Sequence, residues 1–271
     1  MSFIEKLKHI NRSDVDLERI YLGLGRRIKA LPHNIAWNLN TGLARQHREQ
    51  ILAFKDKHKG ERCVIIGNGP SLNKMDLSLL KNEITFGLNR IYLLFPRIDF
   101  QPTYYATMNE ALITQFHPEI SQLLMPKFIT WNTRKYFMDS DHCHFIKLLY
   151  DPQFCKDLTR GFWSGATVTF MTMQIAYYMG FKEVILIGVD HRFKESGISG
   201  KLVEATGADP NHFAPNYFSD GAVWNLPDYK QSEWSFSMAK EVFESEGRRI
   251  MDATVDGNLA VFPKTDYESL F

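Results

Sequence analysis

The stretch RCVIIGNGPSL at residues 62–72 restricts this chain more than any other. Four apolar residues in a row, Cys63, Val64, Ile65 and Ile66, run into a turn that carries Gly67 and Gly69. An apolar run without polar alternation is the pattern of a strand covered on both faces, as in α/β sheets. Gly67 and Gly69 permit positive φ and close backbone approach, so an anionic group is expected to sit against exposed amides there. Asn68 and Ser71 add side-chain donors and acceptors, and Pro70 fixes the exit of the chain. The turn is not a Walker loop, because no Lys-Ser/Thr pair follows it. Nor is it a dinucleotide fingerprint, because the third glycine is missing. The plainer alternative is a tight strand-to-helix turn, which uses Gly and Asn in many proteins.

The same rhythm continues downstream. Strands are expected at 62–66, 83–88, 103–107, 127–131 and 183–189, with a last one at 249–253. The apolar segment 168–179 ends at Gly180 and leads into EVILIGV, which reads as a buried helix, a glycine stop and a central strand. Another helix is expected at 231–246, stopped by Gly247. The expected fold class is therefore α/β: a Rossmann-like, doubly wound, mostly parallel sheet with helices on both faces. Ligands of such sheets bind beyond the carboxyl ends of the strands, so the strand-end residues Asn68, Asn89 and Asp190 are expected to converge. Residues 191–230 break the rhythm with a Gly- and Ser-rich part and the segment DPNHFAPNYFSDG at 209–221. A connection of that length and aromatic content is expected to be a lid that orders over a ligand.

A chain of 271 residues with 44% apolar content can bury one large core. The first 60 residues hold 12 Lys or Arg against 6 Asp or Glu, and the remainder holds 20 against 25. Residues 1–60 are thus expected to form a basic helical extension on a domain spanning 61–271. Its helices are placed at 3–30 and 35–58, broken at Leu31-Pro32-His33-Asn34. The positive charge fits peripheral contact with an anionic membrane surface, or else a solvated face packed on the main domain. Nucleic acid is disfavoured, because no basic stretch is interleaved with stacking aromatics. No run approaches the roughly 18 apolar residues that span a bilayer, and MSFIEKLKHI lacks the apolar core of a secretory signal. The expected location is cytoplasmic, with the extension free to touch the inner face of the membrane. Three cysteines, Cys63, Cys143 and Cys155, make no disulfide framework. The run Asp141-His142-Cys143-His144 is expected to be solvated loop, because four adjacent residues cannot all turn toward one ion. No metal site is expected from it.

Taken together, IIGNGPSL, FGLNR at 86–90, RGFWSGATVTF at 160–170, LIGVDHRF at 186–193 and HFAPNYF at 212–218 resemble the MptE-like family. That family is named after an archaeal 6-hydroxymethylpterin diphosphokinase. It is similar to bacterial lipooligosaccharide sialyltransferases and to flagellin motility accessory factors. The resemblance covers roughly 60–270 and implies a nucleotide site in which Asn68, Gly69 and Ser71 form the binding turn and Asn89 holds the nucleotide. It also implies that Arg160 and the pair Ser164-Gly165 contact phosphate. Ser164 beside a helix start suits an anion, and an ordinary helix cap is its alternative. The sialyltransferases hold the leaving phosphate with a tyrosine pair after the Gly-x-Asp strand. Here His191-Arg192-Phe193 follows Asp190, so Arg192 and Lys194 would act by charge instead. Their catalytic histidine lies a few residues beyond the position of His212, which makes His212 the nearest candidate base.

These residues imply a metal-independent glycosyltransferase that uses a nucleotide-activated sugar, a CMP-nonulosonate in the first instance, in bacterial surface glycan or glycoprotein synthesis. Gly67, Asn68, Gly69, Ser71, Asn89 and Asp190 would serve the nucleotide. Arg160, Ser164, Gly165 and Arg192 would serve the phosphate, and His212 and Tyr217 the reacting end. The partners would be the nucleotide sugar and a glycan or protein acceptor, with homo-oligomerisation left open. The first alternative is a Mg²⁺-dependent diphosphokinase acting on a pterin-like alcohol, with Glu110 and Asp190 as the nearby carboxylates. The second is a nucleotide-binding accessory protein without turnover.

Overall fold

Stretches of consecutive buried residues dominate the chain, and they assemble into one sheet. Its seven strands are β1 (Arg62–Ile66), β2 (Thr85–Leu88), β3 (Tyr104–Thr107), β4 (Lys127–Thr130), β5 (Cys143–Ile146), β6 (Glu183–Ile187) and β7 (Arg249–Asp252). The computed structural model describes residues 17–39, 42–138, 140–192, 197–219 and 221–271. The strands pair in the order β7-β6-β1-β2-β3-β4-β5, and every neighbouring pair is parallel. Every residue from Cys63 to Ile66 is at most 1% exposed, so β1 is covered on both faces, as a parallel sheet requires. This is the Rossmann-like, doubly wound architecture expected from the alternating pattern.

The strand order carries the functional consequence. From β1 the chain moves outward through β2 to β5, then returns to lay β6 on the other side of β1, in register Val64 to Ile185. The order therefore reverses between β1 and β6, and a crevice opens beyond their carboxyl ends. The helix before β6, α4 of the five α-helices among the described residues, is buried at every residue. The five are α1 (Leu17–Asn38), α2 (Gly42–Leu52), α3 (Glu110–Ser121), α4 (Val168–Tyr178) and α5 (Tyr229–Glu244). Gly180 ends α4 with φ +89°, a left-handed stop that a side chain would strain.

The carbonyls at the end of α4 are satisfied from an unexpected place. Asp56 N donates to Tyr178 O, His58 N to Met179 O and Gly60 N to Gly180 O. Phe54 packs edge-on to Phe128 and His144, and His58 Nε2 bonds Tyr104 Oη at 2.7 Å. The segment 45–60 is thus part of the sheet unit, and the chain divides into Met1–Ala44 and Arg45–Phe271 rather than at residue 60. In the first unit, α1 runs unbroken through Pro32 to Asn38, so the helix break expected at 31–34 is absent. A proline removes one intrahelical bond and crowds one carbonyl, a local loss that a 22-residue helix tolerates. This helix ends at Asn38, α2 begins at Gly42, and 53–60 forms turns. Residues 3–16 of the expected first helix lie outside the described residues.

A second correction concerns residues 141–144. Instead of loop, Cys143 to Ile146 form the edge strand β5, paired with β4 from Lys127 to Thr130. The side chain of His144 packs between Phe54 and Phe128, and its burial pulls the imidazole down to about 4. Among the described residues no cluster of three or more His, Cys, Asp or Glu is placed to hold a metal ion. Among the same residues no helix is long and apolar enough to cross a membrane.

The loop that feeds α4 is held by one buried carboxamide. Gln174, fully buried in α4, accepts from Cys155 N at 3.0 Å and Trp163 N at 3.3 Å, and donates to Trp163 O at 2.9 Å and Phe170 O at 3.2 Å. It stands in for a neighbouring strand. Replacing it by an apolar residue of similar size leaves several backbone groups dry and unpaired. Gln174→Leu is expected to lower unfolding stability by about 3 kcal/mol, read from the midpoint of urea denaturation.

Candidate functional site

The crevice between β1 and β6 has a floor made of backbone. Past the strand ends, Gly67 N donates to Ile187 O and Gly69 N to Gly188 O, both at 2.8 Å, so the two loops stay zipped together. A Cβ at Gly67 would lie 2.3 Å from Gly188 O, and one at Gly69 would lie 1.7 Å from Asp190 Oδ2. The glycines are therefore required for close approach. They are not required for positive φ, which neither adopts, and this corrects the sequence reading. The amides expected to receive an anion are spent inside the chain. Beyond them, Asp190 clasps Ser71, accepting from its amide at 3.1 Å and from its hydroxyl at 2.6 Å. Burial raises the Asp190 carboxyl above its ordinary value, against the opposing pull of the two Ser71 bonds.

Above this floor lies a cavity reached by Asn68, Asn89 and Asp190 alike, so the three strand ends share one wall system. Five asparagines line it: Asn68, Asn89, Asn109, Asn211 and Asn225. Among the described residues Asp190 is the one carboxylate on the lining. Carboxamides present a donor and an acceptor without net charge, which suits a ligand dense in neutral polar groups. Asn68 Oδ1 is buried and has no hydrogen-bond partner among the described residues. Three lining residues, Asn89 (φ 49°), Ala166 (φ 67°) and His191 (φ 53°), hold left-handed backbone without being glycine. Each costs roughly 1 kcal/mol or more, and strain of that kind gathers at sites where the backbone must be aimed.

The start of α4 forms another wall. Its N-cap is Thr167, whose side chain accepts from Thr169 N, and Thr167 to Thr169 face the cavity. Ser164, expected as the cap, instead lends its carbonyl to Thr167 N and lies outside the lining.

The roof comes from the segment expected as a lid. Two strands, Leu202–Glu204 and Val223–Asn225, pair antiparallel, so the region is not structureless. The carboxamide of Gln115, on α3, pins the second of them by donating to Val223 O and accepting from Val223 N. Between these strands the loop 209–218 folds around a buried carboxylate. Asp209 accepts from Asn211 N at 2.8 Å, Phe218 N at 3.2 Å and His212 Nδ1 at 2.8 Å. Burial alone would raise its pKa, but the His212 bond and charge and the two amides outweigh it and hold the carboxyl low. A carboxylate on Nδ1–H places the lone pair of the imidazole on Nε2. The His212 ring stacks on Tyr217 with centroids 3.8 Å apart and planes 3° from parallel, and both rings line the cavity.

Tyr217 itself is 1% exposed, its hydroxyl accepts from Arg90 N, and burial pushes the phenol above its ordinary value. A hydroxyl so placed is not presented to a reacting group, and the ring serves as the platform of His212. Arg192 reaches the cavity rim, where it donates to Asp256 O at 3.1 Å. Arg160 is exposed in the turn before residue 161, and Ser71 and Gly165 are buried behind the lining. Of the residues nominated from the sequence, then, Gly67, Asn68, Gly69, Asn89, Asp190, Arg192, His212 and Tyr217 meet at the cavity. Arg160, Ser164, Gly165 and Ser71 do not, and Lys194 lies outside the described residues. Asp209 went unnoticed, although its place three residues before His212 is the i, i+3 spacing that lets a carboxylate reach an imidazole.

Comparison with known proteins places this geometry. A family model described as 6-hydroxymethylpterin diphosphokinase MptE-like matches residues 33–196, more than half of the chain. A solved MAf glycosyltransferase from Magnetospirillum magneticum AMB-1 shares the fold with a TM-score of 0.51 at 15% sequence identity. The alignment covers 80% of the present chain but only 35% of that one, so the present chain corresponds to about a third of its length. No curated protein matches the chain. On its sequence, the chain belongs to the MptE-like family.

Proposed function

We propose that the chain is a glycosyltransferase that takes a sugar from a nucleotide-activated donor, of the CMP-nonulosonate class, and passes it to a surface-glycan or glycoprotein hydroxyl. The observation that carries this reading is the pairing of a carboxamide-lined cavity at the strand-order reversal with an imidazole held by Asp209. Neutral amides suit a nucleoside and a polyhydroxylated sugar, and five of them line the cavity among the described residues. Arg192 at the rim supplies positive charge for the donor's phosphate. His212 Nε2 takes the proton from the acceptor hydroxyl as its oxygen forms the new bond to the anomeric carbon. The bond from that carbon to the phosphate oxygen breaks, and the nucleotide leaves. The glycosyltransferase name of the structural neighbour points the same way.

The alternative is suggested by the name of the family model, a diphosphokinase. Transfer of diphosphate from ATP uses Mg²⁺ held by carboxylates. Asp190 has both oxygens on Ser71, and Glu110 is exposed at the first turn of α3, off the cavity lining. The residues present do not fit that ion.

A thermal-shift panel of CMP, CDP, UDP, GDP and ATP, each with and without Mg²⁺, separates the readings. The expected outcome is stabilisation by the cytidine nucleotides without metal. Stabilisation by ATP only when Mg²⁺ is present would sink the proposal in favour of the kinase. Nucleotide binding with no product from any donor and acceptor would leave an accessory protein.

His212→Ala is expected to cut kcat by about 10²- to 10⁴-fold while nucleotide affinity stays within about twofold. An equal loss in both would make His212 a binding residue. The Asp209 carboxyl lies below its unfolded value. Its contribution to stability is therefore complete above that unfolded value, about pH 4, and is lost as the pH falls from there through the lower folded value. Melting temperatures measured across that range should fall toward acid more steeply for the native chain than for Asp209→Asn. The same variant should lose turnover at neutral pH, because its amide no longer fixes the imidazole tautomer.

A further inference from the structure

A second imidazole stands in the cavity, and proton transfer to His212 leaves it without a task. His191 follows Asp190 at the carboxyl end of β6 and lines the cavity on left-handed backbone, with φ 53°. Its ring lies edge-on to Tyr229 at 4.7 Å between centroids and 6.5 Å from Phe236, and both of those rings line the cavity as well. Tyr229, Ser232 and Phe236 fall within roughly 60° of one another on α5 and form its cavity face. Glu233 sits roughly 70° from the middle of that face, off the lining. From there its Oε1 meets His191 Nε2 at 3.0 Å, with the His191 side chain 11% exposed and that of Glu233 55%. An ion pair with so exposed a carboxylate adds little to stability. What it fixes is the ring: Glu233 takes one nitrogen from behind, which leaves Nδ1 as the nitrogen that can meet a ligand.

Charge says what that ligand group is. Among the described residues the basic side chains on the lining are His191, Arg192 and His212, and both oxygens of the one carboxylate there, Asp190, are taken by Ser71. His191 and Arg192 are neighbours at the end of β6, away from the roof loop that carries His212. A ring protonated on both nitrogens donates one N–H to Glu233 and the other to an anionic oxygen, and such charge-assisted bonds are about twice as strong as neutral ones. We propose that His191, oriented by Glu233, donates from Nδ1 to a phosphate oxygen of the ligand in this cavity, beside Arg192. The inference rests on the nucleotide-sugar donor proposed above. When the bond from the anomeric carbon to the phosphate oxygen breaks, the electron pair stays on the phosphate. His191 then stabilises the added charge by its hydrogen bond and keeps its proton, so His191 is a catalytic residue and Glu233 a positioning one.

The test is calorimetric binding of CMP, cytidine and inorganic phosphate to the full chain and its variants. The native chain is expected to bind CMP more tightly than cytidine. His191→Asn, which tolerates left-handed backbone, should shrink that ratio about 10- to 100-fold while cytidine affinity stays within about twofold. Glu233→Gln should shrink it about threefold, because a neutral amide then holds the ring. Should another nucleotide bind in place of CMP, the same ratio is taken with it and its nucleoside. A ratio untouched by His191→Asn would overturn the inference and leave the proposed transferase standing. Inorganic phosphate bound by the native chain and lost in His191→Asn, with no nucleotide bound, would keep the phosphate site and sink the nucleotide donor. Failure of every probe to bind the native chain would overturn both. If His191→Asn does not melt cooperatively, the ratio in Glu233→Gln, a change on an exposed side chain, decides the matter.

Discussion

Two backbone hydrogen bonds, Gly67 N to Ile187 O and Gly69 N to Gly188 O, extend the pairing of β1 and β6 past the ends of both strands, and the site is built on them. They form only because none of the three glycines carries a Cβ. A methyl at Gly67 or Gly69 would enter the space of Gly188 O or the Asp190 carboxylate, and one at Gly188 would press on Leu72. The consequence is chemical as well as steric. In a P-loop the amides of the first turn point outward and grip phosphate. Here they point sideways into the next loop, and the polar groups left on the lining stand higher in the crevice, such as Arg192 and the opening turn of α4. The Ser71–Asp190 clasp completes this arrangement, since it removes the nearest hydroxyl and the nearest carboxylate from ligand chemistry together.

The roof is tied to this floor by a cation without a carboxylate. Arg90 follows Asn89 at the end of β2 and is 7% exposed. It donates to the carbonyls of Asn216 and Tyr217 and to Tyr92 Oη, and its guanidinium sits 3.8 Å from the centre of the Phe116 ring. Among the described residues no acidic group lies within ion-pair distance of it. Arginine tolerates such surroundings better than lysine because its delocalised, weakly hydrated charge can rest on π faces and carbonyl dipoles. Adjacent residues thus divide the work, with Asn89 facing the cavity and Arg90 fastening the loop that covers it.

Much of this was readable in the residues themselves, and the reasons differ by element. The strands β1 and β6 were unmistakable because burial on both faces demands uninterrupted apolar runs, and α4 because all eleven of its residues are buried. The edge strand β5 was missed because its residues, Cys-His-Phe-Ile, include a histidine whose neutral form is buried among rings, a choice that only tertiary packing makes. The proline in α1 misled for a similar reason: a local rule about one hydrogen bond was outweighed by the rest of the helix. Within the site, residues at strand ends were located correctly because topology alone brings them together. Motif resemblance alone points to Arg160 and Ser164, and local turns direct them elsewhere. What pattern reading lacked was direction, the knowledge of which amides and side chains are already spent inside the chain.

That accounting also links the ligand wall to the loop above it. Phe213 N donates to Asn68 O at 2.9 Å, and Asn73 Nδ2 donates to Phe213 O at 3.0 Å, so the loop around Asp209 is anchored on the turn after β1. Asn68 therefore holds the loop through its carbonyl, while its buried Oδ1 has no partner among the described residues. Asp209 likewise serves both the fold of the loop and the tautomer of His212, through the same two oxygens. A ligand that hydrogen-bonds Asn68 acts on the residue that anchors the loop, and the loop in turn sets the imidazole. On the proposed reading, occupancy of the cavity and orientation of the imidazole would be coupled through three residues, with no need for a large movement of the chain.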